Sequence, residues 1–184
     1  ENIFRLRQKW RPALEWESGR VCYRAKPWFE LENGALRLRN VPVPATIMRP
    51  EQLGAARVEF EDRPAPGTDP YAVYDREDTP EWRLLAAIVE RFTTLAAPRP
   101  VFLAVLPTVE FIIAGKRANY QERFRALHDP ARQRWVLDLL PAFRERPVEE
   151  RRACLFPHDP HFSGHGHQVV AAALAPMLPR GEQP

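Results

Sequence analysis

The sequence predicts an α/β protein built on a parallel sheet. Three observations carry that expectation. Val101-Phe102-Leu103-Ala104-Val105-Leu106 is a continuous apolar run between prolines, the pattern of a strand buried on both faces. Arg134-Trp135-Val136-Leu137-Asp138-Leu139 is a second core run. Helical segments precede, separate and follow these runs, the order that crossovers between parallel strands produce.

Taken in order, Glu1-Asn2-Ile3-Phe4-Arg5 reads as the end of a strand passing into a loop or helix. Lys26 to Leu38 reads as a hairpin: Phe29 and Leu31 alternate with polar residues, Asn33-Gly34 is the favoured two-residue turn, and Leu36 and Leu38 alternate again. Asn40-Val41-Pro42-Val43-Pro44 then leaves the sheet, because prolines cannot continue a ladder. Residues 50–79 are expected to be mostly irregular, with Arg63-Pro64-Ala65-Pro66-Gly67-Thr68-Asp69-Pro70 as loop chemistry and a short strand at Tyr71, Val73 and Tyr74. Thr79 and Pro80 suit the N-cap and first position of a helix. Its apolar face is expected at Leu84, Leu85, Ile88, Val89 and Phe92. Between the two core runs, Tyr120 to Leu127 reads as a helix. Asp138, at the end of the second run, either points into a site or caps the following loop. Pro141 to Arg146 reads as a helical turn and Ala153 to Phe156 as a third strand. Ser163 is expected to cap a last helix with Val169, Val170, Ala173 and Leu174 on its apolar face.

The 184 residues, 45% hydrophobic and 28% charged, suffice for a real core. Of the 27 basic residues only Lys9, Lys26 and Lys116 are lysines. Net charge is +3, and the arginines are scattered among 24 acidic residues, so no nucleic-acid stripe is visible and no nucleic-acid partner is expected. No apolar run reaches the roughly 18 residues of a membrane span. The first residue is Glu; an extracytoplasmic location is expected only if a signal or anchor lies upstream. Cys22 and Cys154 lack a CxxC partner; Cys154 reads as a buried thiol, and a disulfide between the two stays open.

Four of the five histidines and an aspartate crowd into Pro157-His158-Asp159-Pro160-His161-Phe162-Ser163-Gly164-His165-Gly166-His167. An Asp that orients an imidazole, and a His that then moves a proton, suit this spacing on a loop beyond a strand C-terminus, where ligand sites of parallel sheets lie. A structural Asp–His hydrogen bond closing the loop is the competing reading. His158, Asp159, His161, His165 and His167 are also metal-ligand types, but no HExxH is present. Alternatively, His165 and His167 are polar positions in a first helical turn. No metal or other cofactor is expected.

Asp159-Pro160-His161-Phe162-Ser163, with Gly166-His167 and Val170-Ala171, resembles the last block of the SGNH (GDSL-type) hydrolases, which supplies the catalytic Asp and His just before the C-terminal helix. The usual spacing there is Asp-x-x-His; Asp159-x-His161 is closer to the acetyltransferase-like branches. The stretch from Lys26 through Pro44 is similar to an insertion in a subset of bacterial members. The resemblance implies a flavodoxin-like three-layer sandwich with a parallel sheet, incomplete at the N-terminus, so that residues 1–184 are one SGNH-type domain fragment with a β-hairpin insertion at about 10–79. It implies an ester hydrolase or O-acyltransferase acting on an oxygen ester, such as an acylated sugar, with His161 as general base oriented by Asp159. Asn2 then stands where the family places an oxyanion-hole amide; a helix cap or frayed end is the other reading of Asn2. Neither of the two serines, Ser18 and Ser163, lies in a Gly-Asp-Ser-like block, so the nucleophile is expected outside this chain. From a different class, a degenerate, non-catalytic scaffold could bind carbohydrate or a partner through Trp10, Trp16, Trp28 and Phe29.

Overall fold

In a computed structural model that describes residues 6–15, 17–52 and 69–178, the chain separates into two units, Glu1–Leu95 and Ala96–Pro184. The architecture is mixed α/β with several small sheets. The stretch expected as an insertion, about 10–79, lies within the first unit.

That unit opens with Trp10–Leu14 (β1) antiparallel to Val21–Ala25 (β2), and β2 in turn pairs with Ile47–Met48 (β5). Trp28–Glu32 (β3) and Ala35–Arg39 (β4) form the expected hairpin. Asn33 and Gly34 both adopt positive φ, 51° and 79°, as the tight two-residue turn demands. Leu31 faces Leu36 and Phe29 faces Leu38 across the ladder. On the other face Arg39 pairs with Glu30 and Glu32, exposed contacts that contribute little stability.

The short strand expected at Tyr71–Tyr74 is instead a 3₁₀ turn, Ala72–Tyr74. The cause is local: Asp69 Oδ1 accepts the Tyr71 N–H at 2.9 Å around Pro70, which curls the chain before a strand can extend. Tyr71 and Val73 are buried all the same. Pro80–Ala96 (α1) then begins where expected. The Thr79 carbonyl accepts from Arg83 N–H at 2.9 Å, while its hydroxyl donates to the Val73 carbonyl at 2.8 Å. The buried stripe of α1 runs through Trp82, Val89 and Thr93, with Leu84 also buried; Phe92 is 56% exposed. Trp82, packed edge-on against Tyr74, is the bulkiest group on the helix and sets which stripe turns inward. The Thr93 hydroxyl is satisfied there by the Val89 carbonyl at 2.9 Å.

The second unit contains the parallel pair. Val101–Val105 (β6) and Arg134–Asp138 (β7) run in register from Val101 beside Arg134 to Val105 beside Asp138. Among the described residues this sheet has two strands. The connection carries two short helices, Val109–Ile112 (α2) and Tyr120–Arg125 (α3). Beyond β7 come Leu140–Arg144 (α4) and Val148–Ala153 (α5). A small hairpin follows, Leu155–Phe156 (β8) and Asp159–Phe162 (β9), and the helix Gly164–Leu174 (α6) closes the unit.

The core of this unit is Phe111, Ile112, Leu139, Leu140, Phe143, Cys154 and Val169, all nearly solvent-free. Two arginines bind α2 into it. Arg144 donates to the carbonyls of Phe111, at 3.0 Å, and of Lys116, and Arg151 donates to that of Ile112 at 2.9 Å. A helix of four residues cannot pair its last carbonyls internally, and these guanidinium groups do so instead. Among the described residues no helix is long and apolar enough to cross a membrane.

Candidate active site

The run Ala153–Phe156 does not extend into a third sheet strand. Ala153 ends α5, and only Leu155 and Phe156 are extended. Pro157 and His158 form a two-residue turn that brings Asp159 opposite Phe156 and Phe162 opposite Leu155. Asp159 and His161 therefore stand on the return strand of an antiparallel hairpin, not on a loop leaving a parallel strand.

Packing fixes this hairpin at its base. Phe162 stacks on Phe143 with ring centroids 5.1 Å apart and planes 14° apart. Phe143 belongs to α4, which leaves the C-terminal end of β7, so the candidate pair is tethered to the element that departs from that end of the sheet. Ser163 N–H donates to the Cys154 carbonyl at 2.9 Å, and the Ser163 hydroxyl donates to the Ala153 carbonyl at 2.6 Å. Its Oγ also accepts the Gly166 N–H at 3.3 Å, the expected N-cap of α6. Gly166 is required by proximity: a Cβ there would lie 2.2 Å from the Cys154 carbonyl oxygen.

Asp159 Oδ1 accepts twice from His161, from the main-chain N–H at 2.9 Å and from the imidazole Nδ1. The first contact is an Asx turn across Pro160. The His161 amide foremost, and then its ring, hold the Asp159 carboxyl below the usual carboxylate range. An ionised carboxylate only accepts, so Nδ1 donates in this contact, and the tautomer compatible with it has its lone pair on Nε2. The side chains are 81% exposed for His161 and 52% for Asp159, so Nε2 is open to an incoming group.

His165 and His167 lie in the first turn of α6, and both are exposed. His167 contacts Phe162 edge-on, centroids 6.0 Å apart. Among the described residues no three His, Cys, Asp or Glu side chains are grouped to hold a metal ion. Asn2 and Trp16 lie outside the described residues. Cys22 and Cys154 are both free, buried thiols, and burial raises the Cys154 thiol. Neither serine donates its hydroxyl to an imidazole: Ser18 donates to Glu15 at 2.8 Å, and Ser163 serves the backbone.

Asp138 caps the start of the following segment, the second of the two readings open to it. Its Oδ1 accepts the Leu140 N–H at 3.1 Å at the start of α4, and Oδ2 accepts from Gln121. It also lines a mainly apolar hollow of about 80 Å³ beside the C-terminal ends of β6 and β7, with Val105, Tyr120, Phe124 and His128. Asp159 and His161 do not line this hollow. The Asp159–His161 pair therefore sits on the hairpin, and the concavity lies elsewhere in the unit. Sequence reasoning missed the His128 Nδ1, which accepts the Val136 N–H at 3.2 Å and so closes part of the β7 edge. Gly166 enters the sequence reading only as part of the family block; its close approach to the Cys154 carbonyl is not foreseen there.

No family model, curated protein or solved structure matches this chain.

Proposed function

We propose that the chain is the C-terminal part of an SGNH-type serine ester hydrolase or O-acyltransferase, with His161 as general base and Asp159 as the group that fixes its tautomer. The observation that carries the reading is the double acceptance by Asp159 Oδ1, which leaves Nε2 of an exposed imidazole as the free base. The substrate is an oxygen ester, with an acylated sugar the preferred case. The nucleophilic serine belongs to a part of the parent protein outside these residues, because Ser18 and Ser163 are committed to local hydrogen bonds. The serine attacks the acyl carbonyl, Nε2 of His161 takes its proton and returns it to the leaving alcohol, and water or a sugar hydroxyl then releases the acyl group. A flavodoxin-like three-layer sandwich is part of the same proposal; the parallel register of β6 and β7 supports it.

A second reading, a non-catalytic carbohydrate- or partner-binding domain on the same scaffold, is favoured by one observation. The Asp159–His161 pair is open to solvent, where water weakens the electrostatics that a triad depends on. The test is ester turnover by the parent protein that includes the missing serine. The catalytic reading requires turnover that His161→Ala abolishes. A parent that contains such a serine and shows the same rate with and without His161 would establish the binding reading.

A further inference from the structure

The hollow beside the C-terminal ends of β6 and β7 has no part in the chemistry proposed above. It measures about 80 Å³. Val105 and Tyr120, both buried, and Phe124 and Val136, both half-buried, give it apolar walls. Arg125 and His128 are its exposed members, so these two stand at its rim.

The hydrogen bonds around the hollow divide its polar groups into engaged and unengaged ones. Both oxygens of Asp138 are engaged, Oδ1 by the Leu140 N–H at 3.1 Å and Oδ2 by the Gln121 amide. His128 Nδ1 accepts the Val136 N–H at 3.2 Å. A ring nitrogen that accepts carries no proton, so the compatible tautomer presents its N–H at Nε2. Among the described residues that N–H has no acceptor, and Arg125 has neither a hydrogen-bond nor an ion-pair partner. Three carboxylates lie close in sequence or on the same hollow. Asp138 and Glu122 form no ion pair with Arg125, and Asp129 faces Arg134 at 3.9 Å. Glu122 is three residues before Arg125 on α3 and exposed; a surface contact at that spacing is weak and leaves the guanidinium fork room for a second acceptor.

Two unengaged donors at the rim and apolar walls below them define a ligand with an accepting head and a short hydrocarbon tail. We infer that the hollow binds a short-chain monocarboxylate, its head on Arg125 and His128 Nε2 and its tail against Val105, Tyr120, Phe124 and Val136. The guanidinium can fork onto both carboxylate oxygens. The charge of Asp138 opposes the reverse orientation, in which the head would enter first. Volume sets the tail length: an apolar cavity of about 150 Å³ holds benzene, so a hollow of about half that size takes a few carbons. Neither Asp159 nor His161 lines the hollow, so this binding is independent of the ester chemistry.

The test uses three probes with one tail and different heads, butyrate, 1-butanol and butylammonium, each titrated into the protein and followed by NMR. Butyrate should move the Val136 amide and the His128 ring resonances with a millimolar midpoint. Butanol should bind about tenfold more weakly, and butylammonium should leave these resonances in place. From acetate to butyrate each methylene should tighten binding by up to about fourfold, and the gain should stop once the hollow is full, before octanoate. Arg125→Gln should weaken butyrate about fivefold. That side chain holds no hydrogen bond of the fold, so its loss reads binding alone. His128→Asn keeps an acceptor for the Val136 N–H but removes the Nε2 donor, so butyrate should weaken while exchange protection of the Val136 amide persists. Arg91→Gln, at an exposed position elsewhere, should change nothing. Butanol or butylammonium binding as tightly as butyrate, shifts confined to residues outside the hollow, affinity still climbing at octanoate, or an Arg125→Gln protein that binds like the parent sequence would overturn the proposal. None of these readouts involves turnover, so failure of the ester-hydrolase reading and failure of this one are separately visible.

Discussion

The main-chain N–H and the imidazole Nδ1 of His161 converge on a single atom, Oδ1 of Asp159. One oxygen thus sets both the backbone turn and the tilt and tautomer of the ring. Removing the carboxylate charge should disturb all three.

A pH titration examines this first. The Asp159 carboxyl is held below its ordinary value, about 3.9 for a free side chain. A depressed folded value means that the stabilising contact is fully present above that ordinary value and is lost as pH falls through the lower one. The amide resonance of His161, followed by NMR from about pH 6 to about pH 2, should therefore move with a midpoint below that of an unstructured Asp. A midpoint at or above the ordinary value would show that the pair does not form in solution.

Asp159→Asn separates the roles further. The amide can present its NH₂ to Nδ1 and favour the wrong tautomer, so turnover of the parent enzyme should fall by about 10⁴ with substrate KM little changed. Only the turn contact is at stake structurally, so the thermal midpoint should stay within a few degrees. A large fall in midpoint with full activity would assign the pair to structure alone.

Gly166 and Gly164 make a matched comparison two residues apart on α6. A methyl group at position 166 meets the Cys154 carbonyl oxygen at 2.2 Å, whereas one at 164 meets nothing within 4 Å. Gly166→Ala should cost about 1–3 kcal/mol through overpacking, and Gly164→Ala should be neutral or stabilising by up to about 1 kcal/mol. Urea midpoints measure both. Equal effects would mean that α6 does not sit against the carbonyl that ends α5.

Arg144 and Arg151 hold α2 through its carbonyls, and truncation leaves part-buried acceptors unpaired. Each Ala variant should lose about 1.5–3 kcal/mol. Arg144→Lys should recover little, because an ammonium lacks the planar fork that reaches the Phe111 and Lys116 carbonyls together. Hydrogen exchange at the amides of Phe111 and Ile112 should accelerate in these variants; unchanged protection would place the cap elsewhere.

What could be read in the sequence was what neighbouring residues decide among themselves. The Asn33-Gly34 turn, the apolar runs of β6 and β7, the Ser163 cap and the spacing of Asp159 to His161 each need only a few consecutive residues. Tertiary choices were hidden. Phe92 matches the helical period yet faces solvent, because Trp82 sets the inner stripe of α1. Ala153–Phe156 is apolar enough for a strand yet turns back at Pro157, since a run of four residues can bury itself in a helix end and a hairpin equally well. The placing of Arg11 directly across from Arg24 was hidden for a different reason: only the register of β1 with β2 brings them face to face.

The two cysteines sit one in each unit, Cys22 at 1% exposure and Cys154 fully enclosed, neither bonded to the other. A thiol reagent can reach each sulfur only when the structure around it opens. The untouched protein therefore carries two chemical clocks. The rate at which Cys22 is modified times the opening of the first unit, and that of Cys154 the second. Whether the two rates coincide would reveal whether the units open as one cooperative body or separately, without a single engineered label.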